Sequence, residues 1–293
     1  MDACFIYNPN SGMQKINIKK LSYIQNTLEK KYNKVYIMKS ESENHFKELV
    51  KYYSDKVNTI IVSGGDGSFN LAINSLMDCE IKPTLGYLPS GTACDNARKL
   101  SIPKNYKKAI ETILNDKKAK IDIMKINKEY SSYVLAKGRF VNVSYMTNRK
   151  LKRYLGKLAY ILTGIYEAFK FKKRYKLKIE YNNNTIESKF LLAIITNSNS
   201  VAGLKIAKYP PKGYLNCYFV KWNIFNVLFL FLFGEKYAKN KKNILTIRTN
   251  DIKLSVDNKD IDWSNDGEIY TNKEVIIHNE INAIEVFVGE KYK

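Results

Sequence analysis

At 293 residues with 45% hydrophobic side chains, the chain is long enough for two domains or one large one, and apolar enough to build real cores. Its formal net charge of +21 suits an anionic partner, whether nucleic acid, a membrane surface or a substrate, although a general richness in Lys, Asn, Ile and Tyr supplies part of the excess. Cys4, Cys79, Cys94 and Cys217 lie far apart with no C-x₂-C spacing, and His45 and His278 are isolated, which excludes a zinc cluster or histidine triad and reads as the reduced thiols of a cytosolic protein.

The first 120 residues alternate. "ACFIY" predicts a strand, residues 17–31 a helix, "KVYIM" a strand and 43–54 a helix. "TIIV" at 59–62 is a short, mostly β-branched run and reads as a buried strand; a helix follows Gly67. "PTLGYL" predicts another strand, then helices at about 92–100 and 105–115. No basic segment with an apolar core precedes the first strand, so no signal peptide is expected. Alternation of this kind predicts an open, largely parallel sheet covered by helices, with ligands at the carboxyl ends of the strands. Three turns fall at such ends: Asn8 to Gly12, Gly64 to Ser68, and Pro89 to Thr92.

After about residue 121 the texture is β-rich: "KIDIMKI", "SSYVLAKG", "KLKIEY", "FLLAIITN", "GYLNCYFV", "LTIRTNDIKLSV" and "AIEVFVG". The expectation is an α/β domain at 1–121 and a second, mainly antiparallel domain at 122–293. "YNNNT" at 181–185 predicts a hairpin turn. Residues 149–171 and 222–233 look helical. The second of these, "WNIFNVLFLFLF", is too short to span a bilayer, so a buried or interfacial helix is expected. Basic residues concentrate late: 19 Lys/Arg against 12 Asp/Glu in 1–121, and 30 against 16 in 122–293. Residues 149–178 hold 11 basic residues and the single acid Glu167.

The stretch "IIVSGGDGSFN" places Gly64, Gly65 and Gly67 around Asp66 where a strand turns into a helix. Glycine lets another molecule approach the backbone closely, and a helix N-terminus offers N–H groups and partial positive charge to phosphate. An acid beside a phosphate cradle makes sense where a metal ion or a hydroxyl-bearing group lies between them.

Five segments together, "IYNPNSG" (6–12), "VSGGDGSFN" (62–70), "LGYLPSGTACDNARKLSIP" (85–103), "LGKLAYILTGI" (155–165) and "NDGE" (265–268), resemble the diacylglycerol kinase-like lipid kinases, in particular the bacterial soluble branch related to sphingosine kinases. The segments run in the family's order along almost the whole chain. The resemblance implies an α/β first domain, three-layered like that of NAD kinases and phosphofructokinases, and a β-sandwich second domain, with a nucleotide site between them. It implies transfer of the γ-phosphate of ATP, with Mg²⁺, to a lipid hydroxyl. Asn8, Ser11 and Gly12, then Gly64, Gly65, Asp66, Gly67 and Ser68, then Ser90, Gly91, Thr92 and Asp95 would line the ATP site, with Asp66 and Asp95 near the catalytic Mg²⁺. Taken alone, Asp266-Gly267 reads as a surface hairpin turn; with the resemblance, Asp266 is the candidate general base and Glu268 its orienting partner or a contact to Mg²⁺. The basic helix 149–171 would meet anionic headgroups, at the inner face of the membrane in a cytoplasmic, peripheral protein. The run 222–233 would help enclose an acyl chain or simply pack in the core.

The chain departs from the family pattern at several places. Cys94 stands where the family has Asn, Ser68 where it has Thr, Leu71 where an acid is common and Met13 where a basic residue is common. Lys212, Gly213 and Asn216 replace acids that the family associates with a structural Mg²⁺, so no such metal is expected. Alternatives stay open: an NAD kinase, disfavoured by P-S-G-T…D-x-A-R, and a non-enzymatic lipid- or nucleotide-binding relative. Nucleic acid is not expected, since no recognition motif or stacking pattern is present. Diacylglycerol is the first substrate considered, beside phosphatidylglycerol, a sphingoid base or an undecaprenol-like alcohol. Oligomeric state is open, with a homodimer the form the resemblance favours.

Overall fold

The computed structural model describes residues 1–9, 16–91, 94–138, 174–201, 203–239, 241–257 and 261–292. The chain divides into two compact units, Met1–Ile123 with Glu280–Lys293, and Met124–Asn279.

In the first unit the apolar runs become strands β1 (Asp2–Tyr7), β2 (Lys34–Lys39), β3 (Thr59–Gly64) and β4 (Thr84–Pro89). They pair in parallel in the order β2-β1-β3-β4. Every residue of β3 and β4 is buried, as strands covered on both faces require. Helices α1 (Ile18–Leu28), α2 (Glu43–Tyr53), α3 (Asp66–Met77), α4 (Asp95–Lys99) and α5 (Tyr106–Leu114) alternate with them. The side chains of Asn17, Ser42 and Asn105 accept from N–H groups of the first turns of α1, α2 and α5, which sets where these helices begin. α1 packs with α5, and α2 with α3.

The chain leaves the first unit within β5 (Lys118–Ile126) and returns within the 14-residue β18 (Glu274–Phe287). Val286 of β18 lies beside Leu85 of β4 in parallel, and the Asn282 N–H donates to the Asp122 carboxylate at 3.0 Å. The sequence places "AIEVFVG" in the second domain. The structure assigns it to the first unit, because its alternating apolar residues fill the place beside β4.

The second unit is antiparallel. One sheet runs β14 (Ile244–Thr249), β13 (Leu215–Val220), β10 (Leu192–Thr196), β7 (Val134–Lys137), β16 (Asp262–Asn265), β17 (Glu268–Thr271). Another set joins β18 to β15 (Asp251–Val256), β8 (Tyr175–Tyr181) and β9 (Asn184–Phe190), with β6 (Glu129–Ser131) on β5. A two-stranded ribbon, β11 (Ser200–Val201) with β12 (Leu204–Lys205), completes the strands among the described residues. β8 and β9 join through Asn182 and Asn183 at φ 44° and 61°, the left-handed pair of a type I′ hairpin turn that "YNNNT" predicts. Alternate residues split between two cores. Ala193, Ile195, Cys217 and Phe219 meet Leu177, Ile179, Leu254 and Ile277 in the sandwich interior. Leu192, Ile194, Tyr218 and Val220 meet Val227 and Leu230 on the opposite face. These last two belong to α6 (Ile224–Phe233), which is followed by the short α7 (Glu235–Ala238). Among the described residues no helix is long and apolar enough to cross a membrane. The basic helix expected at 149–171 lies outside the described residues. An α/β first unit and an antiparallel second unit match the expected fold class.

Candidate functional site

Parallel pairing brings the first residues of the three predicted turns to one sheet edge. Tyr7 pairs with Ser63 and Ser63 with Leu88, so Asn8, Gly64 and Pro89 stand level at the carboxyl ends of β1, β3 and β4. The Ser90 N–H donates to the Gly64 carbonyl at 2.8 Å, and the Tyr87 hydroxyl donates to the same oxygen at 3.2 Å. The turns meet backbone to backbone: a Cβ on Gly91 would stand 2.7 Å from Gly65 Cα. Neither Gly65 nor Gly91 has a positive φ. Close approach is what requires glycine here.

α3 begins at this edge. Its N-cap is Gly65, and no side chain caps it. The helix start therefore offers its first-turn N–H groups without a protein side chain competing for them, which fits phosphate. Asp66, at the first helical position, faces the neighbouring turn. Its carboxylate accepts from the Asp95 N–H at 3.0 Å and the Asn96 N–H at 2.9 Å. Asp66 thus caps α4, whose own N-cap residue, Cys94, supplies no cap bond and sits at φ 51°. Burial pushes the Cys94 thiol up from its ordinary value, and the negative charge of Asp66 adds to this. The buried Asp95 carboxylate pairs with Arg98 one turn on. Both acids proposed for a catalytic ion are committed to these contacts, and no group of three ligating side chains occurs among the described residues. The donor set fits phosphate; it does not by itself fit a protein-held ion. Ser11, Gly12 and Thr92, with Met13, lie outside the described residues.

In the second unit Asp266 and Gly267 form the two-residue turn between β16 and β17, with φ of 50° and 96°. This is a type I′ hairpin turn, and a buried one. The Asp266 carboxylate accepts five hydrogen bonds: from Ser131 Oγ (2.9 Å), Ser132 N (2.5 Å), Ser132 Oγ (2.6 Å), Tyr133 N (3.1 Å) and Val134 N (2.9 Å). Burial pushes its carboxyl above the usual range, against the opposing pull of these donors. Glu268, two residues on, is exposed. The sequence reading misses Ser131 and Ser132, whose partner lies more than 130 positions away and leaves no local signal.

Where acids are absent from 203–217, Asn216 is held by the protein: its amide oxygen accepts from Arg248 Nε at 3.1 Å and its nitrogen donates to the Lys208 carbonyl at 3.0 Å. The Arg248 guanidinium also lies 3.4 Å from Glu235.

Fold and turns define a class: an α/β unit with glycine turns at its strand ends, followed by an antiparallel sandwich. Residues 2–126 match the diacylglycerol kinase catalytic domain. A diacylglycerol kinase of Bacillus subtilis (strain 168) is 37% identical over 158 residues, 54% of this chain and 51% of that protein. One from Staphylococcus haemolyticus (strain JCSC1435) is 32% identical over 204 residues, 69% of this chain and 61% of that protein. The matched stretches thus span between half and two thirds of these curated relatives. A crystal structure of a diacylglycerol kinase from Bacillus anthracis str. Sterne shares the fold, with a TM-score of 0.79 and 22% identity over 99% of this chain and 97% of that one. Residues 2–126 thus carry a diacylglycerol kinase catalytic domain, and the chain is similar to bacterial diacylglycerol kinases.

Proposed function

We propose that the chain is an ATP-dependent lipid kinase that phosphorylates a lipid hydroxyl, with diacylglycerol as substrate and phosphatidic acid as product, working peripherally at the inner face of the membrane. The observation that carries this reading is the junction of the Gly64–Gly67 and Ser90–Gly91 turns at the uncapped start of α3. Phosphoryl transfer needs positioning and charge neutralisation above all. Backbone N–H groups at this helix start would hold the nucleotide phosphates, while the Asp66 bridge to α4 keeps the two turns in register. Mg²⁺ comes with the nucleotide. As the lipid oxygen bonds to the γ-phosphorus, the bond to the ADP oxygen breaks and the hydroxyl proton passes to a base. Asp266 takes that role in this proposal; a buried carboxylate held above its usual range is a better proton acceptor.

A second reading has its own observation. The five donors around Asp266 are what a carboxylate needs to fix the 131–134 turn, and a non-enzymatic binder needs no more. Incubation with γ-labelled ATP, Mg²⁺ and diacylglycerol in mixed micelles, repeated with total bacterial lipid extract, separates the two. Label in a lipid product supports the kinase; bound ATP with no labelled lipid supports the binder. Asp266→Asn introduces an amide donor among five donors, so its melting curve must accompany its activity. Lost turnover in a variant that melts like wild type assigns the base, whereas a collapsed melting temperature assigns the structural role.

A further inference from the structure

α6 carries two apolar faces. Asn226, Val227 and Leu230 are buried against the sheet. On the other side, Leu228, Phe229, Leu232 and Phe233 recur at helical spacing, with Leu232 51% and Phe233 62% exposed. A surface helix of a soluble protein puts polar side chains on that side; α6 has none from Val227 to Phe233. Trp222, 54% exposed, stands at its start under the Arg174 guanidinium, 4.0 Å from the ring centroid. Exposed Lys236, Lys239, Lys241 and Lys242 follow its end. Between Ser188 and Asn250 the sequence has ten Lys/Arg and one acid, Glu235. That acid is itself bonded to Lys239 and Arg248.

We propose that the outer face of α6 inserts into the headgroup layer of an anionic lipid bilayer and lies in its plane. Ten residues make a helix about 15 Å long, half of the roughly 30 Å hydrocarbon core, so the helix enters the interface and does not cross. Large apolar side chains facing outward, an aromatic at one end and lysines at the other are the composition of an interfacial anchor. The basic surroundings select anionic lipid. This inference deepens the peripheral membrane placement proposed above by naming the surface that carries it, and vesicle binding tests it apart from the kinase activity, since it needs no turnover.

The test uses the full chain and phosphatidylcholine vesicles with or without phosphatidylglycerol. The chain has two tryptophans; Trp263 is 3% exposed, so a change in emission on adding vesicles reports Trp222. Blue-shifted emission with phosphatidylglycerol, quenched by brominated acyl chains, is expected. Leu232→Ser with Phe233→Ser should weaken partition at least about tenfold while circular dichroism and melting stay those of wild type. Lys236→Glu with Lys242→Glu should weaken binding to phosphatidylglycerol vesicles and leave the phosphatidylcholine baseline unchanged. Vesicle binding without a Trp222 shift, or equal binding by the serine variant, overturns the proposal. A blue shift that grows with protein concentration in the absence of lipid, and that the serine variant abolishes, also overturns it by making this face a contact between two copies.

Discussion

Asp66 stands among three glycines, yet both of its carboxylate oxygens are taken by N–H groups of the neighbouring turn. The reason lies at Cys94. An N-cap residue normally brings its own acceptor; a thiol is a poor one, and here it donates to the Gly91 carbonyl instead. The left-handed φ of 51° at Cys94 also suits Asn, which tolerates this region and caps well. Cys94→Asn should therefore stabilise the first unit by about 0.5–1 kcal/mol, measured as a higher melting temperature. A decrease would mean that the buried site cannot satisfy the second half of the amide. Gly91→Ala tests the opposite kind of constraint. Its new methyl group would stand 2.7 Å from Gly65 Cα, so the turns must part. Overpacking of this sort costs about 1–3 kcal/mol, and nucleotide affinity measured by calorimetry should fall with it. Unchanged affinity would separate the Gly65–Gly91 contact from nucleotide binding.

At the scale of elements, Glu235 shows how the second unit fastens α7 to the sheet. Burial pushes its carboxyl up, but the Lys239 ammonium, the Lys208 N–H and Arg248 outweigh this, and the group lies below its ordinary value. A carboxyl lower in the folded than in the unfolded state stabilises when ionised. That contribution is complete above the unfolded value near 4.3 and is lost as pH falls through the folded one. Glu235→Gln should therefore melt below wild type at neutral pH, with the gap closing as pH drops below about 4; a gap independent of pH would assign the loss to packing. This network was not legible in the sequence, because Asn216, Glu235 and Arg248 belong to three elements. Most helices and strands of the first unit were legible, since each carries its period locally, and α1, α2 and α5 also carry their own side-chain caps. The turns at Gly64–Gly67 and Ser90–Gly91 were legible for the same reason. The partner of each carboxylate was not: Asp66 read as an acid beside a nucleotide or its Mg²⁺ and Asp266 as a hairpin turn or a general base, and both are met by backbone N–H groups from distant segments.

For the whole molecule, the alternation in "AIEVFVG" announces a strand but not the sheet it joins, which is why residues 280–293 read as part of the second domain. In the fold they complete the first. Ile284, Val286 and Phe287 are buried, Thr84 Oγ1 donates to Glu285 at 2.6 Å, and Gly289 donates to the Leu100 carbonyl at 2.9 Å. A Cβ on Gly289 would stand 1.9 Å from the Ser101 carbonyl oxygen, so this segment is fitted closely to the end of α4. An isolated fragment of residues 1–123 exposes the flank of β4 and the apolar surface that these side chains cover, at a cost on the order of 1.5–3 kcal/mol for each large one. Stability of a domain this size is about 5–15 kcal/mol, so the fragment should unfold or aggregate. Because Asn282 N and the Asp122 carboxylate are 3.0 Å apart, a short Gly-Ser linker can join residue 123 to residue 280. The joined chain, 1–123 followed by 280–293, should melt cooperatively where 1–123 alone does not. Cooperative melting of 1–123 by itself would show that β18 is an accessory to the first unit, and the domain boundary would then return to the one the sequence suggests.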